Sequence, residues 1–407
     1  MTHAHYRMRA TKAEAEECLN VMSTPAEKTH QAFQSFCLQC LDKNLCSHVG
    51  ALAAALLLSV APLPAQPATP AKVRAGAYYF DGWTGSTDHL TPRLREEFFD
   101  REPVWGWRDD SLAVVEQQID CAADHGLAFF AFDWYWPEGP DKRTPLNTGL
   151  DLYRQARNKQ RLQFCLLVAN HGGFRIGPAD WDAVTDVWVR LFREPTHLKV
   201  GGKPLLIFFT ARELRHSFGS SAAVKAAFDK LDARARAAGL EGVCITACAT
   251  PGPTNNWDNL AELKAEGYSC LTGYNYHGYP MKGPDKIQPF SRMIEGHEDI
   301  WNRFAATSPL PYMPAVTVGW DKRPWEDATK PENQDVYYPD RTPVQVADFV
   351  ARAARWMDAH PDKTPQERIL LLYAWNENGE GGYLTPTKGL GDAYLSAIGK
   401  VLNPAGR

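Results

Sequence analysis

Short apolar runs recur along most of this chain, and each is followed by a longer stretch whose apolar positions fall three and four residues apart. A short apolar run bounded by glycine, proline or polar residues reads as a buried strand, and the wider spacing reads as an amphipathic helix. The pattern predicts strands at 73–80, 127–132, 162–168, 204–209, 242–247, 270–273, 314–318 and 369–374. It predicts helices at 111–125, 148–159, 179–192, 221–238, 257–266, 290–306, 344–360 and 391–401. Strands that alternate with helices pair in parallel through crossovers. The expected fold class is therefore α/β, a single (β/α)8 TIM barrel over residues 73–407. An open, doubly wound sheet is the rival. It would bring a glycine-rich phosphate turn after the first strand, and Asp81-Gly82-Trp83-Thr84-Gly85-Ser86 matches that turn poorly.

Residues 1–65 do not share this rhythm and are expected to be a leader. Residues 1–48 are polar and carry Cys18, Cys37, Cys40 and Cys46; residues 49–61 are a compact apolar run, and a Pro/Ala-rich zone follows. The run is too short to span a bilayer and reads as the h-region of an export signal with cleavage near Ala65. Lys43 is the nearest basic residue, and the unusual length of the polar lead is compatible with translation from Met22 or nearby. A tail with one membrane anchor is the other reading. On the signal reading the protein is secreted or periplasmic, and its mature form has no integral membrane span. Residues 66–72 form a Pro/Ala linker. Cys37-x-x-Cys40 has no matching second pair to make a metal or redox framework. The remaining cysteines, Cys121, Cys165, Cys244, Cys248 and Cys270, lie in apolar segments and read as small buried hydrophobes.

A net charge of −4 over 407 residues gives no basic excess for nucleic acid or an anionic membrane surface. The 13 Trp and 15 Tyr change the picture more. Scattered aromatics are core, whereas aromatics gathered at strand ends suit a sugar cleft, where a flat ring covers the C–H face of a pyranose. Chemistry in such a barrel sits at the C-terminal ends of the strands. Those ends hold Asp81, Trp83, Asp133, Trp134, Trp136, Asn170, His171, Tyr274, Tyr276, His277, Trp320, Asp321 and Asn376, and after the last strand Glu377 and Glu380. Carboxylates just past a buried strand must be paired or solvated, and the glycines around Glu380 let the backbone turn and approach a ligand. Two close carboxyl groups push their pKa values apart, so one can serve as acid and the other as base in glycoside hydrolysis. The rival for these two acids is a helix cap or an arginine pair. Asp81 and Asp133 are either substrate hydrogen-bonders or structural acids of the rim. His171 and His277 with Asp321 could form a metal site, but no ligand spacing supports it, and no metal or cofactor is expected.

The segment Ala374-Trp375-Asn376-Glu377-Asn378-Gly379-Glu380-Gly381 and its continuation to Pro386 resembles the N-E-W-x-E-G-x-x-L-E-P signature of glycoside hydrolase family 99-like barrels. That group includes endo-α-1,2-mannosidases and mannanases, with a sister group labelled glycosyltransferase-like whose members lie in surface-polysaccharide loci. Collinear segments agree: Tyr78-Tyr79, Trp107-Arg108-Asp109-Asp110, and the stretches 130–136, 166–170, 198–206 and 318–321. The resemblance covers about residues 73–402. It implies a (β/α)8 barrel and a retaining glycosidase acting on α-linked polysaccharide or glycan. Glu377 would deprotonate the sugar 2-hydroxyl, Glu380 would protonate the leaving group, and a 1,2-anhydro sugar would form between. The chain departs from the signature at Asn378, Gly379 and Thr385, and has His171 where the sister group often has Glu. A transferase using an activated donor and a non-catalytic sugar-binding barrel are the alternatives.

Overall fold

Strands form where the apolar runs predict them. A computed structural model describes residues 72–251, 258–279 and 285–403. The expected leader at 1–65 with its apolar run 49–61, all of the linker but Lys72, and Trp257 lie outside the described residues. In chain order the strands are β1 (Arg74–Tyr79), β2 (Phe129–Trp134), β3 (Gln163–Val168), β4 (Lys199–Val200), β5 (Lys203–Phe208), β6 (Cys244–Cys248), β7 (Cys270–Thr272), β8 (Ala315–Thr317) and β9 (Ile369–Tyr373). β4 is a two-residue antiparallel partner of β5, turned by Gly201 and Gly202, both at positive φ. The other eight run parallel in the order β7-β6-β5-β3-β2-β1-β9-β8.

The ring closes between β7 and the lead-in to β8. Leu271 N–H donates to Pro311 O at 2.9 Å and Met313 N–H donates to Leu271 O at 2.8 Å. With helices between the strands, this is a (β/α)8 TIM barrel. The helices are α1 (Pro92–Glu97), α2 (Leu112–Asp124), α3 (Thr148–Gln155), α4 (Trp181–Phe192), α5 (Ala211–Phe218), α6 (Ser221–Ala237), α7 (Leu260–Glu266), α8 (Phe290–Thr307), α9 (Pro343–Ala359) and α10 (Ala393–Leu402).

Local chemistry sets several boundaries. Ser111 caps α2 by accepting from Val114 N–H, and Gly126 follows its end at φ 86°. The stretch predicted helical over 148–159 stops at Gln155 and resumes as a single 3-10 turn at Lys159–Arg161. α1 and α5 were not predicted. α1 buries only Leu94, and α5 is cut off from α6 by Gly219 in the left-handed region. Every residue of β9 is fully buried, as are Trp188, Trp301 and Trp375, so part of the tryptophan content is core. The five cysteines beyond the leader are unpaired and buried or half-buried.

β1 and β2 meet in register at Gly76 and Phe129, and the Phe129 ring occupies the space where a side chain at 76 would stand. An added Cβ would lie 2.4 Å from that ring. Gly76→Ala is therefore expected to destabilise the barrel by about 1–3 kcal/mol, seen as a lower urea midpoint at unchanged slope.

Candidate active site

The site is built by the way the chain leaves β9. The Tyr373–Ala374 peptide is cis, and Ala374 and Trp375 are fully buried. Two short strands follow, β10 (Asn376–Glu377) and β11 (Gly382–Tyr383), paired antiparallel as a hairpin. The hairpin tip is a tight turn in which Glu380 N–H donates to Glu377 O at 3.1 Å. Two glycines make the turn possible. A Cβ on Gly379 would stand 2.1 Å from the Trp325 ring, and Gly381 has φ 74°. The Asn376 side chain anchors the hairpin to the end of β1. Its Oδ1 accepts from Phe80 N–H at 2.8 Å and its Nδ2 donates to Phe80 O at 2.7 Å. Trp83 Nε1 donates to Asn376 O at 2.7 Å.

Glu377 and Glu380 open onto a cleft with two chambers. The inner one, about 270 Å³, has Asp133, His171, Tyr274, Glu377 and Glu380 among aromatic walls of Phe80, Tyr135, Phe174, Phe209 and Trp325. The outer one, about 530 Å³, is more polar, with Arg212, Asp258, Asn275, Tyr276, His277 and Trp320. Phe209, Tyr274 and Glu380 line both chambers, whereas Glu377 lines the inner chamber alone.

Burial dominates the electrostatics of the floor. It pushes the Glu377 carboxyl well above the usual carboxylate range; Glu380 and Asp133 push it further, against the Tyr274 hydrogen bond and the Lys322 ammonium. Glu380 is raised too, again by burial, and is opposed by a hydrogen bond from Tyr373 Oη and by Lys322 and His277. Asp133 is held well above its ordinary value by burial, with Tyr274 opposing and Glu380 adding. Tyr274 Oη lies 2.8 Å from Asp133 Oδ2 and 2.9 Å from Glu377 Oε1.

The other rim residues divide by location. His171 lines the inner chamber. Tyr276, His277 and Trp320 line the outer one, with His277 stacked on Trp320 at 3.6 Å and Tyr276 Oη donating to Ala249 O at 2.9 Å. Trp134 and Trp136 line neither chamber. They stack on each other at 5.8 Å, and Trp134 packs edge-on against Trp188 of α4. Asn170 joins the ends of β3 and β5, donating to Thr210 O at 2.8 Å and accepting from Thr210 N–H at 3.1 Å. Asp321 is engaged by Arg101 and Arg323, and its backbone N–H donates to Glu380 O at 2.6 Å. His171, His277 and Asp321 are thus not brought together. Asp81 is buried below the rim, where its Oδ1 accepts from Gly149 N–H at 2.6 Å.

Sequence reasoning did not single out Tyr135, Phe174, Phe209, Trp325 or Tyr373 as site residues. Strand alternation contained a signal for Tyr135, because residues two apart share a face and Asp133 points inward. Asp109 was also missed, although it lies in one of the collinear segments. It is buried beneath the Asn376 anchor and accepts from Asn376 Nδ2 at 3.2 Å and Tyr79 Oη at 3.4 Å.

The profile of the family described as glycosyltransferase WbsX matches residues 106–398. The chain belongs to that family. A protein named WxcX from Xanthomonas campestris pv. campestris, described as uncharacterized, is 24% identical over 318 residues, which is 72% of this chain and 41% of that protein. The chain thus spans less than half the length of that protein. Among solved structures, a glycoside hydrolase-like protein superposes with TM-score 0.56 at 14% identity, covering 84% of this chain and 97% of the other. The GH99 endo-α-mannosidase from Bacteroides thetaiotaomicron superposes with TM-score 0.54 at 13% identity, covering 82% and 98%. At these identities the likeness is one of fold.

Asp109 makes the stability of this WbsX-family barrel sensitive to pH. Burial pushes its carboxyl from 3.8 up to about 7. The folded protein keeps this proton while the unfolded chain releases it, so its contribution to stability falls as pH rises from about 4 to about 7 and is level above. Asp109→Asn is expected to remove that part of the slope, at most about 1.4 kcal/mol per pH unit. Urea denaturation of both proteins from pH 4 to 8 measures it; identical slopes would contradict the assignment.

Proposed function

We propose that this chain is an exported glycoside hydrolase that cleaves α-linked polysaccharide or glycan with retention of configuration, using Glu377 and Glu380. The observation that carries the reading is the sharing of the two chambers. Glu380 stands where they meet and Glu377 faces only the inner one. A sugar ring in the inner chamber would present its own hydroxyls to Glu377, and the glycosidic oxygen leading to the outer chamber would fall beside Glu380.

The chemistry is the one that the resemblance to glycoside hydrolase family 99-like barrels implies, and that placement suits it. Glu377 takes the proton of the 2-hydroxyl, and the 2-oxygen attacks the anomeric carbon of its own ring. Glu380 donates a proton to the departing oxygen as the glycosidic bond breaks. Water then opens the 1,2-anhydro ring at the anomeric carbon, losing its proton to Glu380, while Glu377 returns its proton to the 2-oxygen. Two inversions give retention, and neither carboxyl bonds to the sugar. The 2-hydroxyl must lie trans to the leaving oxygen. A raised pKa suits Glu380 for proton donation near neutral pH. The aromatic walls of the inner chamber suit the C–H faces of a pyranose.

Glycosyl transfer is the second reading, favoured by the description of the WbsX family. The acids on this floor weigh against a phosphate-activated donor, whose charge would be repelled by any of them that is ionised. Transfer of the same anhydro intermediate to a sugar hydroxyl in place of water needs no such donor. Export is proposed from the apolar run at 49–61 and the Pro/Ala zone after it. No helix among the described residues is long and apolar enough to cross a membrane.

A panel of α- and β-linked oligosaccharides, with the product anomer read by NMR, tests the proposal. Hydrolysis of an α-linkage with retention is expected. Glu377→Gln and Glu380→Gln should each lose about 10²–10⁴-fold in kcat, the range general acid–base groups contribute. The Glu380→Gln loss should shrink on aryl glycosides, whose leaving group needs little protonation. An inverted product, or full activity in both variants, would contradict the assignment.

A further inference from the structure

Tyr274 poses a proton-counting problem. Its hydroxyl carries one hydrogen and stands within hydrogen-bond distance of two buried carboxyl groups, 2.8 Å from Asp133 Oδ2 and 2.9 Å from Glu377 Oε1. It can donate to one of them. The other contact is favourable only if that carboxyl carries a proton and donates to the tyrosine oxygen. Two ionised carboxylates around one hydroxyl would leave a charged acceptor facing a lone pair, with both acids buried. One proton therefore belongs to the Asp133–Glu377 pair in addition to the tyrosine's own.

The surroundings decide which acid holds it. Asp133, at the end of β2, is buried among Tyr274 and Cys248, with Tyr135 on its own segment and Asp81 after β1. Glu380 raises it, and no cation is among the groups that act on it. The free oxygens do not separate the two acids, because Asp133 Oδ1 and Glu377 Oε2 are both buried with no hydrogen-bond partner among the described residues; the cation that stands by Glu377 alone does. Glu377 faces Asp133, Tyr274, Glu380 and, after β8, the ammonium of Lys322, which favours its charged form. Tyr373 also borders the pair and donates to Glu380, and His171 shares the chamber.

We propose that Asp133 is a proton-holding positioning residue: it donates to Tyr274 Oη, Tyr274 donates to Glu377 Oε1, and Glu377 is thereby kept as the carboxylate. This inference rests on the base role proposed for Glu377 and adds to it a reason for the base to be ionised beside two other acids. No proton leaves the relay during turnover. Asp133 keeps its own, and Glu377 accepts and returns that of the substrate.

The relay distinguishes two substitutions at one position. Asn at 133 is an isostere of the protonated acid, and its amide can donate to Tyr274 in the same direction. Asp133→Ala removes the donor and is expected to lower kcat/KM by about 10²-fold, within the range of general acid–base effects. Asp133→Asn is expected to recover most of that loss. Tyr274→Phe should move the acid limb of the kcat/KM profile to higher pH, because Glu377 loses the hydrogen bond that favours its charged form. An infrared readout needs no substrate. Other buried acids also keep protons, so the signal is read as a difference: near neutral pH the wild type minus Asp133→Asn spectrum should contain a positive protonated-carboxyl C=O band. If that difference band is absent, the relay is wrong whatever the activity. If it is present but no glycoside is cleaved, the relay stands and the hydrolase reading fails. Asp133→Asn as inactive as Asp133→Ala would also overturn the proposal, because an ionised Asp133 that accepts from substrate cannot be replaced by Asn.

Discussion

The open end of this barrel depends on the grip of Asn376 on Phe80. A side chain at the end of the last strand satisfies both backbone groups of a residue at the end of the first, in effect adding one rung to the β1–β9 ladder. Buried backbone groups need partners, and at the mouth of a barrel the strands splay and stop supplying them. Asn170 does the same between β3 and β5 through Thr210. With the seam held, the chain can reverse immediately into a hairpin of two-residue strands and set Glu377 and Glu380 over the mouth. The glycines at 379 and 381 follow from that reversal. One leaves room for Trp325, and the other adopts a backbone angle that a side chain would strain.

Three carboxyl groups share one largely buried floor, and their ionised forms would repel one another there. The protein manages this with tyrosines: Tyr274 between Asp133 and Glu377, and Tyr373 on Glu380. Phenols suit the task because burial holds Tyr274 and Tyr373 well above their ordinary pKa, so each remains a donor. Behind the hairpin, Arg101 donates to Asn378 O at 3.2 Å and pairs with Asp321, whose own N–H holds Glu380 O. The acid expected at the seventh strand to touch substrate thus supports the loop that carries Glu380.

The barrel was legible because its strands are short, apolar and sharply bounded, and because helical spacing separates them. α1 and α5 were not legible because both are short: α1 buries only Leu94, and α5 is eight residues long and buries Ala211 and Leu214. Glu377 and Glu380 stood out because two acids cannot continue a buried strand. Trp134 and Trp136 looked like sugar platforms from their place in the sequence. Side-chain alternation instead turns them away from the cleft and brings Asp133 and Tyr135 into it. The bridge from Asp133 to Glu377 was out of reach, because its members come from three segments, 141 and 103 residues apart along the chain.

The central claim is spatial: a sugar ring lies over Glu377 in the inner chamber and its glycosidic oxygen meets Glu380 at the junction. A crystal structure of Glu380→Gln with an uncleaved α-linked oligosaccharide tests it most directly. The glycosidic oxygen is expected within hydrogen-bond distance of the residue 380 side chain and the ring's 2-hydroxyl on the Glu377 carboxylate. A ligand seated wholly in the outer chamber, or one that meets Glu377 with its glycosidic oxygen, would contradict it.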